Sequence, residues 1–375
     1  MIQLDYSGRV SRAKELMGAE RLDALILSRP KESRSLYYLT GVDRFCAHLI
    51  LPRDGGNTLL ILDQDLLDAE NIAYADEIQT FTSAKSQFEA ISEVLKERGL
   101  KEGAVGVEKP FLNQSFYESL RTVLPLTLQI KDATKVTGQL RFIKTEDEIA
   151  QIRKASTIAV RTLEVARQMV KPGVTENEIA ATVECELRRG GAETTGMSTF
   201  ISSGPRTKAA HPPASSRKLQ NGEVVFIDLH PRVQGYCSDL ATSFMTEPMD
   251  TETTRRFKQV LESRDAAIQA IEVGDRFSSI HLDYFKRMAS YGIVIPTIPF
   301  FNNLHGVGVA ANDPPSFWHP IDAHITPGIV FALAQSPIQP KTPEGIGIRF
   351  EDTYLVTESG IERLTSFEPR TSLSR

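Results

Sequence analysis

Apolar residues recur at helical spacing over Ser7–Met17, where Val10, Ala13, Leu16 and Met17 share one face. Short uninterrupted apolar runs follow at Leu22–Leu27, Ala47–Leu51, Leu59–Leu62 and Ala104–Val107, and each predicts a strand. Asp54-Gly55-Gly56-Asn57, between the second and third runs, predicts a hairpin turn. A helix is predicted from about Ser86 to Glu97. Strands alternating with helices predict an α/β domain that closes near residue 135.

The pattern changes at Thr145. Thr145 and Glu148 form a capping box, and Ile149, Ile152, Ala159, Leu163 and Ala166 follow on one helical face. That helix stops at Lys171-Pro172-Gly173. Thr175 and Glu178 make a second box, opening a helix that runs to Arg189. From Thr199 strands dominate, interrupted by helices from about Thr251 to Val273 and from about Ser279 to Tyr291. The second half is therefore α+β. The expected division is residues 1–138 and 139–375.

Composition narrows the class. The chain of 375 residues is 41% hydrophobic and 24% charged, with a net charge of −5, as in ordinary globular proteins. No basic stripe argues for nucleic acid. No run of about 20 apolar residues predicts a membrane span, and the polar N-terminus lacks a signal-peptide core. Cys46, Cys185 and Cys237 are too widely spaced for a disulfide framework or a zinc cluster. A cytoplasmic protein is expected.

Chemistry concentrates in Val224–Phe244. Two Val/Ile/Phe-rich runs joined through Pro231 and Gly235 predict a β-hairpin carrying Asp228 and Asp239, able to face each other across it. Paired carboxylates on rigid strands suit a hard divalent cation; strand-end and surface charges are the plain alternative. His211 precedes them on a loop stiffened by Pro212-Pro213. His305 lies between small residues in Leu304-His305-Gly306-Val307-Gly308, which would leave room for a metal or substrate. Glu351 follows in a strand-like run, in phase with Arg349. Asp228, Asp239, His305 and Glu351 would make one site if their strands converge.

These pieces, in this order, resemble the creatinase, prolidase and methionine aminopeptidase family, with its pita-bread fold. LDALILSRPKESRSLYYLTG, RFIKTEDEIAQIRKAS, KAAHPP, FIDLHPRVQGYCSDLATSF, LHGVG, PGIVF and GIRFEDTYLVTESGIERLT carry the resemblance. It implies an α/β N-terminal domain, an α+β pita-bread catalytic domain, and a two-domain member similar to Xaa-Pro dipeptidases and creatinase. Carried over by position, Asp228, Asp239, His305 and Glu351 match metal ligands, and His211 and Glu351 take catalytic roles. His230, Asn312, Arg349 and Arg44 are the substrate-binding candidates. The resemblance also implies a homodimer, with the loop of Arg44 reaching a partner's site; a solvated loop charge is the plain alternative for Arg44.

Three positions depart from the family pattern. Ala334 stands where a glutamate ligand belongs, Asn312 where a second histidine belongs, and His230 where a glycine is usual. Alanine supplies neither a ligand nor a base. The expectation is one divalent ion (Mn, Zn, Co or Fe) or none, and little activity on standard Xaa-Pro dipeptides. Three readings follow. The first is a hydrolase of a C–N bond in a short peptide, with a reduced metal site of at most one ion. The second is a metal-free, creatinase-like enzyme using His211 on a small amidino, amide or cyclic substrate. The third is a non-catalytic binding paralogue.

Overall fold

The computed structural model describes residues 4–28, 33–43, 46–84, 86–292, 304–316, 319–335 and 347–369. The chain forms two compact units, Met1–Arg141 and Phe142–Arg375. In the first, Ala24–Ser28 (β1), Ala47–Pro52 (β2), Thr58–Leu62 (β3), Glu77–Phe81 (β4), Gly103–Val107 (β5) and Leu128–Asp132 (β6) form one sheet in the order β4-β3-β2-β1-β5-β6. β1 to β3 are an antiparallel meander, and β4, β5 and β6 add in parallel. Ile26, Ile50, Leu60 and Val105 pack against Ile91, Val94 and Leu95 of the helix Ser86–Glu97. The apolar runs predicted this centre of the sheet. The edge strands β4 and β6 escaped the reading because an edge buries less: Glu77–Phe81 buries only Phe81.

A polar residue sits inside this apolar sheet. His48, on β2, is 3% exposed. Its Nδ1 lies 2.9 Å from Ser28 Oγ and its Nε2 lies 2.9 Å from Gln87 Oε1. An amide oxygen only accepts, so Nε2 carries the proton and Nδ1 accepts from the serine hydroxyl. Burial pushes its pKa down to about 4 despite the bond to Gln87, so the neutral ring is the native form.

The second unit begins with the helices Glu146–Met169 and Glu176–Arg189, and both capping boxes form. Its strands are Thr194–Thr195 (β7), Phe200–Ser203 (β8), Val224–Leu229 (β9), Pro231–Val233 (β10), Tyr236–Cys237 (β11), Leu240–Met245 (β12), Leu304–Gly306 (β13), Val330–Gln335 (β14), Phe350–Thr357 (β15) and Gly360–Arg363 (β16). The main sheet runs β13-β14-β15-β12-β9-β8, with β16 paired to β15. Side chains alternate along β9. Val225, Ile227 and Leu229 pack with Leu163, Ile179 and Val183 of the two helices. Val224 joins a different cluster, with Phe257, Tyr284 and Phe350, and Phe226 packs with Phe200 and Ala241. By the same alternation Asp228 points away from the two capped helices.

The predicted hairpin forms, with one correction. β9 and β12 pair antiparallel, but Ala241 lies opposite Asp228, and the ladder stops at Leu240 opposite Leu229. Asp239 is therefore not directly across from Asp228, and it lies just before β12 rather than on it. The reason is local: β10 and β11 form a small hairpin of their own and pair with β7 in a separate sheet. Had the main ladder continued one step, His230 would be the residue opposite Asp239.

Candidate metal centre

Four strands bring the acidic and imidazole groups together. β9 ends beyond Asp228 and leads into His230; β12 starts after Asp239; β13 carries His305; β15 carries Glu351. Ala241 pairs with both Asp228 and Glu351, which places β9 and β15 on either side of β12. Thr353 fixes Asp239 outside any ladder: its Oγ1 accepts from the Asp239 N–H at 3.0 Å and donates to the Asp239 carbonyl at 2.7 Å. Sequence reasoning missed Thr353. The only signal was its place on the Glu351 face of the same strand.

The result is two adjoining donor clusters, Asp228 with His230 and Asp239, and Asp239 with His305 and Glu351. His230 Nε2 lies 3.2 Å from Asp228 Oδ1 and 3.4 Å from Asp239 Oδ1. His305 Nε2 lies 3.3 Å from Glu351 Oε1 and 3.9 Å from Asp239 Oδ2. His305 Nδ1 lies 3.1 Å from the Gly306 carbonyl. A carbonyl only accepts, so Nδ1 carries a proton, and Nε2 is the ring atom that faces the carboxylates.

The glycine beside His305 has a different purpose from the one expected. A Cβ on Gly306 would lie 2.1 Å from the Pro314 carbonyl oxygen. The glycine lets two main chains approach, and Gly306 N–H donates to Pro315 O at 2.7 Å. The space is filled by protein, not kept for a ligand.

The centre is acidic and buried. Asp228, Asp239 and Glu351 are 5%, 2% and 9% exposed. Asp228 Oδ1, Asp239 Oδ1 and Glu351 Oε1 are buried without a hydrogen-bond partner among the described residues. Burial, and next the Glu351 charge, hold the Asp228 and Asp239 pKa values well above the usual carboxylate range. Burial likewise pushes His230 down to about 4, against the Glu351 charge and the Ser198 main chain. Buried polar groups are ordinarily paired. Clustered oxygen donors left without partners fit a divalent cation, which would neutralise the carboxylates and satisfy their lone pairs together.

The remaining candidates lie at different depths. His211 is exposed, with its ring 5.1 Å from the Phe200 ring. Desolvation, and next the Arg349 guanidinium, lower its pKa, while Glu351 raises it. Arg349 is buried. It donates to the Ala209 carbonyl at 3.0 Å and to the Ala210 carbonyl, and its Cζ lies 3.4 Å from the Phe226 ring centroid. It therefore ties down the loop that carries His211. Burial lowers its pKa to about 10, opposed by Asp228 and Glu351. Asn312 is exposed, with its amide 3.7 Å from the Met197 sulfur, and is not among the residues the cluster gathers. Arg44 lies outside the described residues. Ala334 on β14 pairs directly with Glu351 on β15.

Residues 150–358 match the model for metallopeptidase family M24. The chain belongs to that family. Residues 9–143 match the creatinase/prolidase N-terminal domain, so this is a two-domain, pita-bread M24 hydrolase. The chain is 27% identical over 365 residues to the Xaa-Pro dipeptidase of Pyrococcus horikoshii, covering 96% of this chain and 97% of the relative. It is 28% identical over 367 residues to the Xaa-Pro dipeptidase of Pyrococcus furiosus, covering 96% and 98%. In fold it is similar to the Xaa-Pro dipeptidase from Bacillus anthracis, with a TM-score of 0.86 at 20% identity over 98% of this chain and 99% of the other. Among the described residues no helix is long and apolar enough to cross a membrane.

Proposed function

We propose that this M24 protein hydrolyses a C–N bond in a short peptide, in the manner of an Xaa-Pro dipeptidase, with a reduced cation site. The observation that carries the reading is the set of buried, unpartnered carboxylate oxygens on Asp228, Asp239 and Glu351. Asp228, Asp239, His305 and Glu351 would hold a divalent ion such as Mn, Zn, Co or Fe. When bound, such an ion polarises a carbonyl and lowers the pKa of water. Glu351 accepts a proton within the site. His211, at the exposed end, binds the substrate carbonyl or passes a proton to the leaving amine. Arg349 positions His211 by holding the carbonyls of Ala209 and Ala210.

Ala334 limits the site. Its methyl group sits opposite Glu351, where a carboxylate would add charge and a donor. We infer that at most one ion is tightly held and that ordinary Xaa-Pro dipeptides are turned over slowly. We also propose a cytoplasmic homodimer acting on a small peptide, with nucleic acid and membranes as no part of its function.

The test is a screen of Xaa-Pro dipeptides, other dipeptides and small amidino or cyclic amides, before and after chelation. Cleavage that stops on chelation and returns with Mn, Co or Zn is the expected result. Turnover indifferent to chelation would replace this reading with metal-free acid/base chemistry at His211. No turnover of any C–N substrate would leave a binding protein.

A further inference from the structure

His230 occupies a place that its surroundings do not explain as packing alone. It is 2% exposed and set against two carboxylates, Asp228 and Asp239. Its Nε2 stands 3.2 Å from Asp228 Oδ1 and 3.4 Å from Asp239 Oδ1. Neither oxygen has a hydrogen-bond partner among the described residues, so the imidazole is beside them without donating to them. Ligands at about 2.0–2.2 Å from a zinc-like ion stand roughly 2.9–3.6 Å from one another. Both separations fall in that interval. The second cluster is less regular, with edges of 3.3 and 3.9 Å, and it is the one beside Ala334.

Resting on the metallohydrolase reading above, we propose that His230 is a ligand of the tightly held ion, joining Asp228 and Asp239 around it. The imidazole adds a nitrogen donor to an otherwise carboxylate position. A nitrogen donor favours zinc, cobalt or copper over manganese more than an all-oxygen set does. The residue expected to contact substrate thus belongs to the cation site, and it partly compensates for the carboxylate lost at Ala334. Register explains how it reaches there: the β9–β12 ladder ends at Leu229, and the next residue on that strand turns toward the residue just before β12.

The experiment titrates metal-stripped full-length protein with zinc and with manganese by calorimetry, for the unmodified chain, His230→Gly and His305→Ala. His230→Gly is expected to weaken zinc binding at least about tenfold and manganese binding less. His305→Ala, which removes the other imidazole donor, is expected to weaken zinc binding as well while leaving the nitrogen donor of His230 in place. Pulsed EPR of the unmodified protein with one equivalent of copper guards against a misfolded variant. Imidazole nitrogen coupling should be present and should survive His305→Ala. Zinc affinity unchanged in His230→Gly, or nitrogen coupling abolished by His305→Ala, would overturn the role of His230 while leaving the metal-dependent reading intact. An equal loss for both metals in His230→Gly would make the residue structural. Failure of the unmodified protein to bind any ion would overturn the metallohydrolase reading, and this inference with it.

Discussion

His48 in the N-terminal unit and His230 in the C-terminal unit are 3% and 2% exposed, and burial pushes both pKa values down to about 4. Their surroundings differ. Both ring nitrogens of His48 have protein partners, Ser28 and Gln87. His230 faces Asp228 Oδ1 and Asp239 Oδ1, which have no hydrogen-bond partner among the described residues. Burial alone therefore does not separate a structural histidine from a functional one. Closure of the hydrogen-bond inventory does: the first site is complete without a ligand, and the second leaves buried oxygens that a cation would satisfy.

The largest expected effect attacks the open site. Asp239→Asn should lower turnover by about a thousandfold or more, because a shared cation ligand and its charge are lost. The same change should raise the stability of the metal-stripped protein by roughly 1–3 kcal/mol, since it removes a buried carboxyl whose ionisation burial and the Glu351 charge oppose. Melting curves of stripped protein check this. A stripped variant less stable than the parent would mean that the cluster is satisfied by the protein after all.

The next prediction tests a closed site in the same unit. Glu176 is fully buried and accepts from Ser203 N–H and Oγ–H, Ser215 N–H and Oγ–H, and Arg206. Glu176→Ala should cost about 3–5 kcal/mol, because it strands the buried donors of Ser203 and removes the buried acceptor that Ser215 and the partly exposed Arg206 share. Chemical denaturation measures it, and added metal should not restore the loss.

His48 supplies the pH test. Its folded pKa of about 4 lies below the ordinary value of 6.5. The unfolded chain therefore binds the extra proton first as pH falls, so the contribution is full above pH 6.5 and is lost as pH drops toward 4. The loss amounts to about 3 kcal/mol. Hydrogen exchange of β1 and β2 amides against pH reads it, and His48→Leu should flatten the profile. An unchanged profile in the variant would exclude His48 as the cause.

Arg349→Lys should have the smallest effect. It keeps the charge but loses the forked geometry that reaches the Ala209 and Ala210 carbonyls together. A fall of about tenfold in kcat with little change in metal affinity is expected, since the loop of His211 would be less well held. A loss of metal binding instead would move Arg349 from positioning to the cation site.

The sequence made the apolar frame and the ligand types readable, for separate reasons. Central strands such as Leu59–Leu62 and capped helices such as Glu146–Met169 announce themselves through local pattern. Asp228, His305 and Glu351 were named from motifs, and the fold gathers them into one centre with Asp239. The edge strands were hidden because a half-exposed strand lacks a clear apolar run. The position of Asp239 was hidden because it depends on where a ladder stops, which is set by the β10–β11 hairpin and by Thr353. The place of His230 was hidden for the same reason. Its place in the family pattern, where a glycine is usual, makes it a substrate-binding candidate, and only register puts it beside the aspartates.

The central claim is that the open cluster in the C-terminal unit is completed by a divalent ion. Hydrogen exchange of the full chain, metal-stripped against cobalt-loaded, tests it most directly. The account predicts slower exchange at residues 224–244 and 350–357, and no change at residues 24–28 and 47–52, where the polar interior is already paired. Identical exchange in both states across residues 224–244 would contradict it.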